Sequence, residues 1–351
     1  MNYVKGMCDL GIVLYPDKLG EPFYEADGGG IREAVLNYVD GTYYLFYDGA
    51  TPGAKADSYW NACLAESKDC ISWIKHGLVL KSSALTHPES SDLVYMDFKS
   101  ASSPWVYQND GKWYMYYVGA ANCSPNGIPA LPYSTLLAES GKIQGPWHKR
   151  NDSNGCEKHV CFPLGKDSWD DSTAAPGQVI RNPNFKANTT EKEFFMFYSG
   201  CCGGLTKRSI GIARTNNLGC SDDYDKELGY FWERDANPIL SPDEDIENSS
   251  IFYEEESCYY YLFTNHIFGN LYTDSIWVYR TKNIEKWSTE DKAIVVDCNV
   301  STWAKGAIGM PTVLKKDAST LILIYDGVVG DGIGHLDRCM GLAEIKLPLK
   351  F

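Results

Sequence analysis

Carboxylates stand just before strongly apolar segments at several places along the chain. Four such places carry acidic residues and a fifth carries a lysine: Asp27 with Glu33, Asp97, Asp170, Glu247 and Lys305. Cleavage of a glycosidic bond needs a carboxylic acid that protonates the departing oxygen and a carboxylate that attacks or activates water. Acidic residues before a strand also serve as plain turn and cap residues. Their shared position in the chain favours chemistry, and the elements around them define that position.

Five aromatic and β-branched segments follow these places. They start 61 to 81 residues apart and read YYLFYDG from Tyr43, WYMYYVG from Trp113, FFMFYSG from Phe194, YYLFTNH from Tyr260 and LILIYDG from Leu321. A run of this kind, closed by a turn residue, is typical of a strand buried on both faces. Two of the runs follow an Asp-Gly pair, a strong short-range hairpin signal.

A shorter strand precedes each segment and another follows it, with no amphipathic helix of useful length between units. Sheets of three or four strands cannot bury both faces alone, but five of them around an axis can. The sequence therefore predicts an all-β fold, a five-bladed β-propeller with antiparallel blades around a central channel. We place the blades within one domain, residues 1–351, at about 31–80, 97–150, 170–240, 245–295 and 305–351, with 1–30 supplying an outer strand that closes the ring.

Two other all-β architectures fit less well. A pair of β-sandwiches does not produce a period this long, and a WD-type propeller has a shorter period and a Trp-Asp signature in its repeats, which does not recur from unit to unit here. A tryptophan recurs after four of the units, and we expect it to pack between blades: Trp73, Trp147, Trp232 and Trp287. In a propeller, the starts of the innermost strands converge on one axial pocket.

Composition narrows the range of partners. A formal net charge of −14 disfavours nucleic acid and anionic membranes, and a carbohydrate substrate is compatible with it. The acidity alternatively serves only solubility. Twelve cysteines without a Cys-x-x-Cys pair, and an N-terminus without an apolar leader, predict a reduced and cytoplasmic protein, although a trimmed secreted chain would look the same. The sequence does not indicate the oligomeric state.

The repeat and its acids resemble the five-bladed propeller glycosidases of glycoside hydrolase family 43 and its relatives. The resemblance spans nearly the whole chain through the repeat, and the residue motifs match in part. That family carries its general base in an Asp-Pro pair ten residues before a Tyr-Tyr-Leu strand. Glu33 stands there, with Arg32 beside it to hold it ionised. The family's general acid opens the inner strand of the fourth blade, a position that Glu247 matches.

The family's third carboxylate, which tunes the pKa of the acid, is replaced here by Ala175-Pro176. Asp170, or its neighbour Asp171, is the expected substitute, and Asp27 and Asp97 are further candidates. The resemblance thus implies an inverting glycoside hydrolase acting on an oligosaccharide or a glycan side chain. Two alternatives stay open: a glycoside phosphorylase similar to family 130, and a glycan-binding propeller without activity.

Several aromatic and cationic residues are expected to contact the substrate. Trp105 is suited to stack on a sugar face, and the cations suit a phosphate in the phosphorylase alternative. The full set is Arg32, Trp105, Arg181, His266, Lys305, His335 and Arg338. We expect no cofactor and no catalytic metal. A structural calcium or sodium ion near His335 stays an alternative, because some relatives place one in the channel.

Overall fold

The computed structural model describes residues 1–53, 57–86, 95–149, 160–203, 207–219, 231–269 and 271–351. Strands dominate these residues. Helix is limited to single turns, α1 (Tyr24–Asp27), α2 (Ser83–Thr86) and a 3₁₀ turn (Pro242–Glu244). No helix within the described ranges has the length and hydropathy that a bilayer crossing requires.

The strands form four hydrogen-bonded sheets, one of which joins two antiparallel groups of four strands through a single parallel bridge between Trp60 and Ser100. We number these two groups and the other three sheets 1 to 5 in chain order, after two N-terminal strands β1 (Asn2–Tyr3) and β2 (Met7–Leu14). Sheet 1 contains β3 (Gly30–Val39), β4 (Thr42–Ala50), β5 (Trp60–Ser67) and β6 (Ile74–Leu80). Sheet 2 contains β7 (Ser100–Asn109), β8 (Lys112–Ala120), β9 (Ser134–Ser140) and β10 (His148–Lys149). Sheet 3 contains β11 (Thr173–Ala175), β12 (Val179–Arg181), β13 (Phe194–Cys201), β14 (Ser209–Thr215) and β15 (Glu233–Arg234).

Sheets 4 and 5 follow the same order and take in the two N-terminal strands. Sheet 4 contains β16 (Ile246–Glu254), β17 (Tyr259–Phe268), β18 (Tyr272–Thr281) and β19 (Lys292–Val296), with β1 added in parallel to β19. Sheet 5 contains β20 (Ala304–Lys315), β21 (Thr320–Val329) and β22 (Arg338–Lys346). Strand β2 pairs with β22, so a segment from the start of the chain supplies the outermost strand of the last sheet.

The apolar cores lie between neighbouring sheets. When β11 and β12, which both pair with β13, are counted as one interrupted first strand of sheet 3, the second strand of each sheet contains the aromatic run, and in β4 and β13 every residue is buried. Two of the recurring tryptophans pack edge-on across a sheet boundary, Trp147 against Phe46 at 5.9 Å and Trp232 against Tyr116 at 5.5 Å between ring centroids. Burial on both faces explains why these strands are almost continuously apolar.

The first strands of the sheets contact one another in series. Strand β3 contacts β7, β7 contacts β12, sheet 3 contacts β16, β16 contacts β20, and β20 contacts β3 again. The series of contacts returns to its starting strand, so the sheets lie around a central channel.

Each first strand is interrupted at the same level of this channel. Pairing with the second strand shifts between Arg32 and Val35, Ser102 and Trp105, Glu247 and Ser250, and Gly309 and Thr312. One residue inside each bulge has a left-handed backbone: Glu33, Ser103, Asn248 and Met310, with φ of 54°, 49°, 60° and 54°. In sheet 3 the interruption falls between β11 and β12. A bulge re-aims its side chains, which here lie beside the channel.

Hydrogen bonds from these bulges tie each sheet to the one before it. The bulge N–H donates to a side chain near the end of the preceding sheet's second strand: Glu33 to Asp326 (3.0 Å), Ser103 to Asp48 (2.5 Å), Asn248 to Ser199 (2.8 Å) and Met310 to Asn265 (3.3 Å). At the boundary between sheets 2 and 3, Pro176 stands at the donor position and has no N–H, and Val118 stands at the acceptor position and has no side-chain acceptor. Donor and acceptor are therefore both replaced. The ring thus leaves no orphaned donor at that junction.

Candidate active site

A pocket of about 650 Å³ opens at the level of the bulges. Residues from all five sheets line it, with charged groups from sheets 1, 3 and 4: Arg32, Glu33, Asp48, Ser102, Ser103, Val118, Ile128, Pro129, Tyr133, Thr173, Ala175, Ser199, Arg208, Glu247, Asn248, Met310 and His335. We call it the central pocket. Four residues proposed from sequence lie together here, namely Arg32, Glu33, Glu247 and His335.

Glu33 lies on the bulge of β3, and donors hold its carboxylate on both sides. The Arg32 guanidinium contacts Oε1, and the Ser103 hydroxyl of sheet 2 donates to Oε2. Its backbone N–H donates to Asp326 of sheet 5. The side chain is 14% exposed, so it remains accessible from the pocket. Three sheets therefore fix the position of this one carboxylate.

Asp48 and Arg32 occupy directly paired positions on β4 and β3. Burial raises the pKa of Asp48 well above its usual range, and the nearby charge of Glu33 raises it further. Burial disfavours the charge of Arg32, but Glu33, Asp48 and Asp326 together raise the pKa of Arg32 above its ordinary value. The arginine is thus a permanent cation against a cluster of acids.

Glu247 approaches the pocket from sheet 4, one residue before the bulge of β16. Arg208, just before β14 of sheet 3, forms a salt bridge of 2.8 Å with its Oε2. The Glu247 carbonyl accepts a hydrogen bond from Thr264 at 2.7 Å, which fixes the strand beneath the side chain. Each of the two pocket glutamates therefore has its own arginine.

His335 enters the pocket from the loop between β21 and β22. Burial lowers the pKa of His335 to about 2, and the charges of Arg32, Arg338 and Arg208 act in the same direction. The imidazole is therefore neutral at working pH. Its buried Nδ1 has no hydrogen-bond partner among the described residues, which suits it to contact a polar group of a ligand.

Three of the candidate carboxylates lie elsewhere, in buried ion pairs. Asp27, Asp97 and Asp170 are at most 3% exposed, and none of them lines the central pocket. Each accepts a hydrogen bond from the fifth residue of the aromatic run, the hydroxyls of Tyr47 (3.0 Å), Tyr117 (3.0 Å) and Tyr198 (2.7 Å). Each also pairs with a cation of the fourth strand, Lys75 (2.6 Å), Lys149 (2.6 Å) and Arg234 (2.7 Å).

These contacts correct the grouping made from sequence. The three aspartates connect the start of a sheet to its second and fourth strands. In sheet 4, Glu244 makes a related connection to Tyr279 of the third strand and Lys292 of the fourth. Asp170 contacts Ser168, Tyr198 and Arg234. None of these contacts connects it to Glu247, whose pKa it was expected to tune. Sequence position alone did not separate these residues from Glu33 and Glu247.

Two predicted substrate residues line a different cavity. Trp105 and Arg181 lie farther along the same first strands, around a space of about 1020 Å³ that we call the far cavity. Trp105 is 7% exposed, and Arg181 pairs with Glu193 at 2.8 Å. Trp105 therefore does not line the central pocket, although it borders a small cavity together with Glu33 and Ser103.

The last three predicted substrate residues also lie outside the lining of the central pocket. His266 stacks on Trp277 and contacts Asp274 at 2.7 Å. Lys305 is exposed, and its Nζ donates to the Cys298 carbonyl at 2.8 Å. Arg338 is fully buried and forms a salt bridge of 2.5 Å with Asp326. With Arg181 in the far cavity, the cation set expected for phosphate does not assemble here.

Sequence reasoning missed Asp48, Arg208 and Tyr133. A signal existed for Asp48, because the Tyr-Asp-Gly end of the first aromatic run recurs in the last one, where Asp326 also supports Glu33. Arg208 and Tyr133 each precede the third strand of a sheet, whereas the sequence repeat draws attention to the starts of the first strands. Within the described part of the chain, no three His, Cys, Asp or Glu side chains are grouped as a metal site.

Comparisons with known proteins show a similarity of fold to solved structures but no match at the level of sequence. No family model matches the chain, and no curated protein matches it. The structure is similar to that of BT0996 in its RGII complex, with 15% identity, a TM-score of 0.72, and coverage of 98% of this protein and 92% of that one. It is also similar to the family 62 α-L-arabinofuranosidase domain of Coprinopsis cinerea, with 12% identity, a TM-score of 0.61 and 99% of both proteins.

A thermostable family 43 glycoside hydrolase is similar at 15% identity and a TM-score of 0.56, over 89% of this protein and 88% of that one. The predicted resemblance to this group of propeller glycosidases is therefore confirmed at the level of the fold. Identities this low do not carry over an activity, so the chemistry must be argued from the central pocket itself.

Proposed function

We propose that this chain is a five-bladed propeller glycoside hydrolase that cleaves with inversion, using Glu247 as general acid and Glu33 as general base. One observation carries the proposal: of the carboxylates at the strand starts, these two lie in the same pocket. They come from sheets 1 and 4, which are not neighbours in the ring. A glycosidic bond bound between them would have a carboxyl group on either side, as displacement by water requires.

The surroundings of each glutamate suit its role. Arg32 and Ser103 hold the Glu33 carboxylate in one orientation, leaving it able to accept a proton from an attacking water. Glu247 must carry a proton to act as acid, whereas Arg208 binds it in the free protein. We infer that sugar hydroxyls engage Arg208 when substrate binds, so that Glu247 takes up a proton from solvent and can then give it to the leaving oxygen.

The substrate proposed is an oligosaccharide or a glycan side chain. Neutral His335, Tyr133 and Arg208 offer hydrogen-bonding groups to hydroxyls around the two acids. The similar structures include an α-L-arabinofuranosidase and a β-1,3-galactosidase, so arabinofuranosides and galactosides are the first compounds to try.

The test is a panel of aryl glycosides assayed with the wild type and with Glu247→Gln. We expect turnover to fall by about 10³-fold in the variant, within the range for loss of a general acid, while substrate binding is largely kept. The control is Glu256→Gln, an exposed turn residue of the same sheet, which should retain full activity. Activity that survives in Glu247→Gln would remove the assignment.

Two further measurements separate the alternatives. Proton NMR of the first-formed sugar reports inversion or retention of the anomeric centre. Turnover that depends on added phosphate would replace hydrolysis by phosphorolysis. Binding of glycans without turnover across the panel would instead make this a recognition module.

A further inference from the structure

Asp48 is a buried carboxyl group at the edge of the central pocket. It is 2% exposed, and it lies near the C-terminal end of β4, directly opposite Arg32 of β3. The backbone N–H of Ser103 donates to its Oδ1 at 2.5 Å. Among the described residues it has no salt bridge within 4 Å, unlike Asp326 at the same place in sheet 5, which pairs with Arg338.

Ser103 connects Asp48 to Glu33. Its N–H is bound by Asp48, and its hydroxyl donates to Oε2 of Glu33. Ser103 also has a left-handed backbone with φ of 49°, a conformation that a non-glycine residue holds only when its surroundings impose it. Fixing the N–H of this residue therefore fixes the direction in which its hydroxyl points.

The equivalent positions in the other sheets show what ring closure alone requires. Ser199 and Asn265 accept the bulge N–H of the next sheet with a neutral side chain. A hydroxyl or an amide is thus sufficient for that hydrogen bond. Only at the junctions on either side of Glu33 is the acceptor an aspartate, which points to a task beyond ring closure.

We propose that Asp48 is a positioning residue for Glu33, acting as a hydrogen-bond acceptor that fixes Ser103 and, through it, the Glu33 carboxylate. The inference rests on the proposed function for its catalytic consequence. An amide keeps the shape of a carboxyl group and one acceptor oxygen without the charge, which makes asparagine the closest neutral substitute.

Two variants at this position separate the possible roles. Asp48→Asn retains an acceptor for Ser103, so kcat should stay within about threefold of the wild type, since the geometry is kept. Asp48→Ala loses the acceptor, and kcat should fall by about 10²-fold with KM nearly unchanged, because only the alignment of the base is lost. The matched control is Asp97→Ala, an equally buried aspartate away from the pocket, which should lower stability but leave kcat per folded molecule unchanged.

Three outcomes would overturn the inference or the function beneath it. If Asp48→Ala keeps wild-type kcat and KM, Asp48 does not position the base. If Asp48→Asn is as impaired as Asp48→Ala, the role is that of a charge and not of a hydrogen-bond acceptor. If wild type and Glu33→Gln do not differ in turnover, the proposed function fails, and crystal structures of the Asp48 variants then test positioning alone. A Glu33 carboxylate that is displaced in Asp48→Ala but not in Asp48→Asn supports the inference. A Glu33 carboxylate that is unmoved in Asp48→Ala refutes it.

Discussion

Two groups of carboxylates stand near the strand starts, and the structure uses them in opposite ways. Glu33 and Glu247 are at or next to a bulge and lie in the central pocket, each beside an arginine. Asp27, Asp97 and Asp170 precede the strands and are sealed inside their own sheets. A shift of a few residues along the chain thus separates a carboxylate that lines the pocket from one that stabilises a sheet.

The difference lies in repetition. The buried aspartates share one set of partners, a tyrosine of the second strand and a cation of the fourth, which recurs from sheet to sheet. The pocket glutamates have partners that occur once each, such as Ser103 and Arg208. In a repeat protein, a contact made in every unit maintains the unit, and a contact made once is where a specific function can reside.

The strongest test of this comparison replaces one acid of each group, both in or next to sheet 1, by the corresponding amide. Glu33→Gln should lower kcat by about 10³-fold and leave the thermal midpoint close to the wild type, because the base is lost while Arg32 still faces Asp48 and Asp326. Asp27→Asn should do the reverse, lowering the midpoint while kcat per folded molecule is kept, because Lys75 loses its fully buried partner and keeps only Asp17. Kinetics and thermal unfolding on both variants provide the measurement.

The outcome that contradicts the comparison is a crossed one. A loss of activity in Asp27→Asn, measured at a temperature where the variant is fully folded, would return Asp27 to the catalytic group. A large fall in the thermal midpoint of Glu33→Gln would mean that this glutamate mainly holds sheets 1, 2 and 5 together.

The sequence predicted the fold from its repeat because each aromatic run had to be a strand buried on both faces. It predicted part of the pocket as well, in Glu33, Glu247, Arg32 and His335. The bulges could not be foreseen, since they follow from pairing with the neighbouring strand and not from local residue types. The tyrosine partners were readable, however, because Tyr47, Tyr117 and Tyr198 hold the same place in three runs.

A smaller effect is expected from the buried pair in sheet 3. Asp170→Asn leaves Arg234 facing a buried site without its counter-charge, and the free energy of unfolding should fall by about 3 kcal/mol. Urea unfolding measures this. The control is Glu233→Gln, which breaks an exposed pair with Lys192 in the same sheet and should cost less than about 1 kcal/mol. Equal losses in the two variants would mean that the aspartate is not a structural centre of the sheet.

The smallest effect concerns His335, a pocket group that belongs to neither set of acids. The pKa of His335 is lowered to about 2 in the folded protein, whereas an unfolded histidine titrates near its ordinary value of 6.5. Above pH 6.5 both states are neutral, and below it the unfolded state takes up a proton that the folded state excludes. Stability linked to His335 is therefore complete above pH 6.5 and is lost as the pH falls toward 2.

His335→Gln removes this titration. The drop in unfolding free energy between pH 7 and pH 5 should be about 2 kcal/mol smaller in the variant than in the wild type. His148→Gln, at an exposed position, serves as the control and should leave the drop unchanged. An unchanged drop in His335→Gln would show that the imidazole titrates near its ordinary pKa of 6.5 inside the pocket. His335 would then be a third cation beside Arg32 and Arg208 below that pH, and the pocket would be suited to a more acidic sugar under those conditions.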